Sequence, residues 1–160
     1  MTPDMPARQS LEEWEMRVDI SRQVLELRRC GESIKSWPVS TSRFGVGFEP
    51  GSFKTPTGHF AVQEKIGAGA PLWAEFKSRQ PTGNIAQPGG EHDGILTRIL
   101  WLSGLDEENA NTRDRYIYFH GTNREDLIGT PASHGCIRLR NADMAELFDL
   151  VPEGARVVIG

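Results

Sequence analysis

Cysteine is nearly absent from this sequence. Its 160 residues hold two, Cys30 and Cys136, which excludes a disulfide-dense scaffold and a four-cysteine zinc site. No apolar run approaches the ~20 residues needed to span a bilayer, so no membrane segment is expected. Positive charge is not in excess. With 18 basic against 22 acidic side chains the net charge is −4, which gives no general attraction to nucleic acid or to an anionic membrane. The first twenty residues carry Asp4, Glu12, Glu13, Glu15 and Asp19 and no apolar block, unlike a secretory signal. As written, the chain is expected in the cytoplasm, or in the periplasm or cell envelope if an export signal has been removed. Internal repeats and low-complexity tracts are missing as well.

What is present is the composition of a turn-rich globular domain: 38% hydrophobic, 25% charged, 17 glycines and 10 prolines. The length fits one domain with a short arm, here residues 1–16 before a domain at 17–160. Ser10–Met16 reads as a short helix in that arm. Val24–Arg28 and Ile34–Val39 read as a hairpin around a turn at Cys30-Gly31-Glu32-Ser33. Ser40–Gly58 is punctuated by Gly and Pro as a loop, and the alternation at Phe60, Val62 and Glu64 marks a strand. Gly67–Gly94 reads as one long loop, a lid or binding loop.

Ile95–Leu102 (ILTRILWL) is the most apolar run and is expected as a buried strand. Tyr116–His120 alternates, placing Ile117 and Phe119 on one face and Tyr116, Tyr118 and His120 on the other. Asn141 is placed to cap a helix with Met144, Leu147, Phe148 and Val151 on its apolar stripe. Arg156–Ile159 closes the chain as a strand. About six strands and one or two short helices make a mainly-β single domain, a sandwich or flattened barrel.

The chemistry concentrates in Tyr116–Asn141, YIYFHGTNREDLIGTPASHGCIRLRN. A thiol nucleophile needs a base, a group that orients the base, and donors for an oxyanion. Cys136 supplies the sulfur and His120, ending a strand, the base. The Gly121 carbonyl is placed to hold the other ring nitrogen, and Gly135 leaves its own amide and that of Cys136 as oxyanion donors. If Ser133–Arg140 is extended, His134, Cys136, Arg138 and Arg140 point one way while Ile137 and Leu139 enter the core. Arg138 and a nearby histidine favour the thiolate, and Arg138 suits a substrate carboxylate.

Ser133-His134-Gly135-Cys136-Ile137-Arg138, with His120-Gly121 upstream, resembles the signature of the L,D-transpeptidase (YkuD-type) family. Thr55-Pro56-Thr57-Gly58-His59-Phe60 resembles that family's TPTGxF element. The likeness runs from about Arg17 to Gly160. It implies a mainly-β sandwich and an attack on the bond between an L-diamino acid and a terminal D-alanine in murein tetrapeptide stems. By motif position Cys136 is the nucleophile, His120 its base and Gly121 the orienting carbonyl. Gly135 and Cys136 form the oxyanion site, while Ser133, His134, Arg138, His59 and Tyr118 meet substrate. Arg138 stands where the family pattern often has Asn, and twelve residues separate His120 from Ser133, a short span that bears on the loop over the site. The implied partner is a murein tetrapeptide stem or muropeptide, handled by a monomer without metal or cofactor. Water is the expected acceptor (L,D-carboxypeptidation in murein recycling), with 3-3 cross-linking as the alternative and a catalytically silent murein-binding module as a further one.

Each feature has a plainer reading. Cys136 as an inert buried thiol conflicts with its two histidines and arginine. A zinc site from His120, His134 and Cys136 lacks a fourth ligand and paired spacing. His134 and His59 read equally as structural or exposed residues, and Cys30 and His92 as incidental.

Overall fold

The computed structural model describes residues 13–160 and is mainly β, with ten strands and one α-helix among those residues. The strands are β1 (Trp14–Asp19), β2 (Val24–Arg29), β3 (Glu32–Pro38), β4 (Gly58–Ile66), β5 (Ala74–Lys77), β6 (Gln80–Ile85), β7 (Ile95–Gly104), β8 (Tyr118–Gly121), β9 (Ile137–Leu139) and β10 (Arg156–Ile159); the helix is α1 (Asn141–Leu150). They form one open hydrogen-bonded sheet in the order β3-β2-β1-β10-β4-β7-β5-β6, with β8 branching from β7 and β9 from β8. Most pairs are antiparallel; β1 with β10 and β8 with β9 are parallel. Among the described residues no helix is long and apolar enough to cross a membrane.

The branch at β7 creates the site. Leu100 and Leu102 enter the main core with Phe60, Phe119, Ile137 and the α1 residues Met144 and Leu147. Ile99 and Trp101 face the other way, into a smaller cluster with Ala74, Phe76 and Tyr118. A strand covered on both faces reads as a continuous apolar run, which is why ILTRILWL lacks alternation. β8 obeys the predicted parity: Phe119 joins the main core, whereas Tyr118 joins the smaller cluster, and Cys136 packs against that cluster too.

The hairpin between β2 and β3 turns on two residues, Cys30 (φ 51°) and Gly31 (φ 78°), the left-handed pair that a tight hairpin requires. Three expectations change. Gly67–Gly94 holds β5 and β6, joined through Ser78 and Arg79. The sequence concealed them because β6 (QPTGNI) is exposed throughout and has no apolar alternation to read. Trp14–Met16 belong to β1, which runs across the 16/17 boundary, and not to a helix; residues 10–12 lie outside the described residues. Asn141 is the first helical residue, not the cap, and its side chain turns back to Thr122 and Thr97.

α1 has no basic residue in its last turn. Lys65 of β4 supplies the missing cation, its Nζ donating to Phe148 O (2.6 Å) and Val151 O (2.7 Å) while lying 4.4 Å from the Phe148 ring centre. This satisfies carbonyls that a helix end leaves open. Lys65→Met should cost about 1–2 kcal/mol and lower the thermal midpoint by several degrees in a melting experiment.

Candidate active site

Cys136 immediately precedes β9, on a turn that its neighbours lock. Ser133 Oγ donates to Cys136 O (2.6 Å) and accepts Gly135 N–H (3.2 Å). Gly135 adopts φ 122°, open mainly to glycine. Behind it Thr55 Oγ1 donates to Gly135 O (3.0 Å) and accepts Ser42 N–H (3.0 Å). The Thr-Pro-Thr-Gly element therefore buttresses the nucleophile turn from the back. Cys136 Sγ accepts Tyr118 N–H and donates to Tyr116 O, each at 3.4 Å.

The thiol is half-buried and free. Its burial pushes the thiol up to about 12; the Tyr118 N–H, Arg138 and Arg115 pull it down, and Asp93 pushes it further up. The thiolate expected from Arg138 is thus outweighed by desolvation.

His120 is almost fully buried on β8, opposite Arg138 of β9 in the parallel register. Its Nδ1 donates to Gly121 O at 2.6 Å, the tautomer that leaves Nε2 bare as a base. Burial holds the imidazole below its usual range, with Arg138 acting the same way and Asp93 and the Gly121 bond opposing. Gly121 has no room for a side chain, since a Cβ would strike Asn141 Oδ1 and Leu96 O. Among the described residues no hydrogen bond joins His120 to Cys136; Sγ rests on the Tyr116 and Tyr118 backbone instead.

Arg138 is buried, and its Nη1 donates to Asp93 Oδ1 at 2.9 Å. Asp93 Oδ2 lies 3.4 Å from His134 Nδ1. The exposed His134 ring stands edge-on to Phe53 (5.7 Å) and 6.0 Å from Phe44. With Phe53, Arg115 and Tyr116 it lines a cavity of about 250 Å³ beside the nucleophile turn. A second cavity, about 690 Å³, runs between Ile66–Pro71 and the β5–β6 hairpin. At that hairpin's tip Arg79 Nη1 donates to Tyr118 Oη (3.2 Å) and its guanidinium covers Trp101 and Tyr116.

A model of the YkuD-type L,D-transpeptidase catalytic domain matches residues 14–159. The chain belongs to the L,D-transpeptidase family. It is similar to the family protein YkuD of Bacillus licheniformis (27% identity over 91% of this chain and 65% of that one). It also matches YqjB of Bacillus subtilis (38% identity over 66% and 51%). The chain therefore spans half to just under two thirds of these relatives. Among solved structures it resembles the L,D-transpeptidase of Xylanimonas cellulosilytica (TM-score 0.62, 22% identity, 94% of this chain and 62% of that one). L,D-transpeptidase 3 of Mycobacterium tuberculosis, solved with a faropenem-derived adduct, is a further neighbour (TM-score 0.56, 17% identity, 92% and 60%). These likenesses show the fold.

This L,D-transpeptidase domain brings Tyr118 and Cys136 to the smaller cluster, sets His120 (held by Gly121 O) opposite Arg138, and links Arg138 to His134 through Asp93, all around β8, β9 and the Gly135 turn. It does not bring His59 there. His59 is exposed at the start of β4, held by Asp106 and facing Leu105, at the opposite end of β7 from Leu96, which pairs with Gly121. The threonine, not the histidine, is the part of that element that reaches the nucleophile turn. Ser133 is fully buried and ties the turn rather than lining the pocket. The Gly135 amide is taken by Ser133 Oγ, so the two-amide oxyanion pair expected at 135–136 is not free in this state. Among the described residues no three His, Cys, Asp or Glu side chains converge as metal ligands would.

Asp93, Arg79 and Asn123 carry no functional signal in the sequence, yet each holds part of the site. Asp93 and Arg79 lie in the stretch read as a functional loop, but a carboxylate's partners forty residues away leave no mark in spacing.

Proposed function

We propose that this domain is a cysteine acyl-transfer enzyme that cleaves the L-diamino acid–D-alanine bond of murein tetrapeptide stems through a Cys136 thioester. The observation that carries the reading is the 2.6 Å bond from His120 Nδ1 to Gly121 O. It fixes a neutral imidazole with a bare Nε2 on the strand beside the half-buried thiol. Because the thiol is held up and the imidazole down, the two do not rest as an ion pair. His120 then acts as a general base during attack: Sγ–H leaves Tyr116 O, its proton passes to Nε2, and sulfur adds to the carbonyl carbon. The tetrahedral adduct collapses as the imidazolium protonates the departing D-alanine nitrogen. Cys136 is only partly buried, which is compatible with water as the acceptor, and hydrolysis of the thioester to the tripeptide is the proposed second half.

The test is incubation with a disaccharide-tetrapeptide followed by mass spectrometry, alongside faropenem, a compound whose adduct is seen on a structural neighbour. Tripeptide and a covalent adduct on Cys136 are expected. Cross-linked dimer in place of tripeptide makes the acceptor an amine. Neither product and no adduct would leave a murein-binding module, and the enzymatic proposal would be wrong.

A further inference from the structure

Asp93 reaches the nucleophile strand from a different part of the chain. It lies between β6 and β7, and its carboxylate straddles Cys136, with Oδ1 on Arg138 Nη1 (2.9 Å) and Oδ2 3.4 Å from His134 Nδ1. Those partners sit two residues after and two before the cysteine. A dedicated anchor presents it there. Asn123, three residues past His120 and nearly inaccessible, accepts Gly94 N–H on Oδ1 (2.8 Å). Its Nδ2 donates to Gly89 O (2.7 Å) and His92 O (3.0 Å), and its carbonyl accepts Gly89 N–H (2.7 Å). The segment is stapled so that Asp93 meets Arg138.

Arg138 is only half-used by this contact. Its side chain is 3% exposed, yet Nε and Nη2 have no partner. A guanidinium presents paired, parallel N–H donors that match a carboxylate, and buried donors left unfilled are costly. We propose that Asp93 is a resident stand-in for a peptide carboxylate: it fills an anion subsite made by Arg138 and His134 until the terminal carboxylate of the residue after the scissile bond takes its place.

This deepens the acyl-transfer reading and rests on it. In a peptide the carbonyl carbons of successive residues lie only about 3–4 Å apart. A carbonyl at Sγ therefore brings the next carboxylate towards Arg138, two residues along the strand. Exchanging one carboxylate for another keeps the buried guanidinium paired, whereas displacing Asp93 by a neutral amide would strand the charge. The subsite thus selects stems that end in a free carboxylate.

The test uses alkylation of Cys136 by iodoacetamide, located by peptide mass mapping, in the wild type and Asp93→Asn. Each is treated alone and with N-acetyl-D-alanine or its carboxamide. The charged and titratable groups acting on the thiol are Asp93 from the β6–β7 segment, Arg138 on β9, Tyr118 on β8 and Arg115, the last residue of the single helical turn Arg113–Arg115. Removing the carboxylate should move the alkylation profile down by about one pH unit. N-acetyl-D-alanine should protect Asp93→Asn at a concentration about fivefold lower than the wild type, because the internal competitor is gone. The carboxamide should protect neither. Asp93→Ser should give the same order, which guards against a fault peculiar to asparagine. Equal protection of wild type and variants, or protection by the carboxamide, would overturn the proposal even if the pH profile shifts. None of these readouts needs turnover, so a wild type that fails to process tetrapeptide would sink the acyl-transfer reading separately.

Discussion

Cys136→Ala is expected to keep the fold and lose acylation. The sulfur contributes two long contacts to backbone groups of Tyr116 and Tyr118, so its removal leaves the sheet and both clusters standing. Circular dichroism and the melting midpoint should change little. Turnover should fall by about 10⁴-fold or more, since nothing else in the site replaces a covalent nucleophile. The other thiol, Cys30, lies exposed in the β2–β3 turn; a faropenem adduct persisting in Cys136→Ala would place the chemistry there and refute the assignment. The wild-type thiol carries its own signature. Pushed up to about 12 by burial, it should react with iodoacetamide at a rate still climbing beyond pH 9. A plateau below pH 8 would mean a preformed thiolate and a mechanism without proton transfer during attack.

The parts of this molecule that sequence exposes are those whose signals are local. ILTRILWL announces a strand covered on both faces, and Tyr116–His120 declares its parity because Phe119 and Tyr118 really do enter different clusters. The cysteine, the histidine and their glycines stand within seventeen residues of one another, and the glycines are there for stated reasons: Gly135 for its φ and Gly121 for lack of space.

What stayed hidden is long-range or carried by polar side chains. β5 and β6 are legible only through their pairing with each other and with the start of β7. His59 looked like a site residue because it follows Thr-Pro-Thr-Gly, but strand alternation aims it at Asp106. Arg138 looked like an activator of the thiol. Its charge is shared with Asp93, which no periodicity connects to it, so desolvation prevails.

Gly121→Ala is the second change with a large expected effect, and it separates geometry from chemistry. The added Cβ meets Asn141 Oδ1 and Leu96 O. Asn141 has little freedom to yield, because Oδ1 accepts Thr97 Oγ1–H (2.6 Å) and Nδ2 donates to Thr122 O (2.8 Å) and Glu125 (3.0 Å). Leu96 O belongs to the paired strand β7. Overpacking of this kind costs about 1–3 kcal/mol, visible as a lowered melting midpoint. The catalytic loss should be larger. To relieve the clash the Gly121 backbone must shift, and its carbonyl is the acceptor that fixes the His120 tautomer. With that bond lengthened, Nε2 is no longer reliably the bare nitrogen, and acylation by faropenem should slow by about 10²-fold while the affinity of the non-covalent complex holds. Adding Asn141→Ser removes one of the two obstacles and should recover part of the stability and part of the rate together. If Gly121→Ala melts early yet acylates at the wild-type rate, the carbonyl does not orient the base and His120 needs another role.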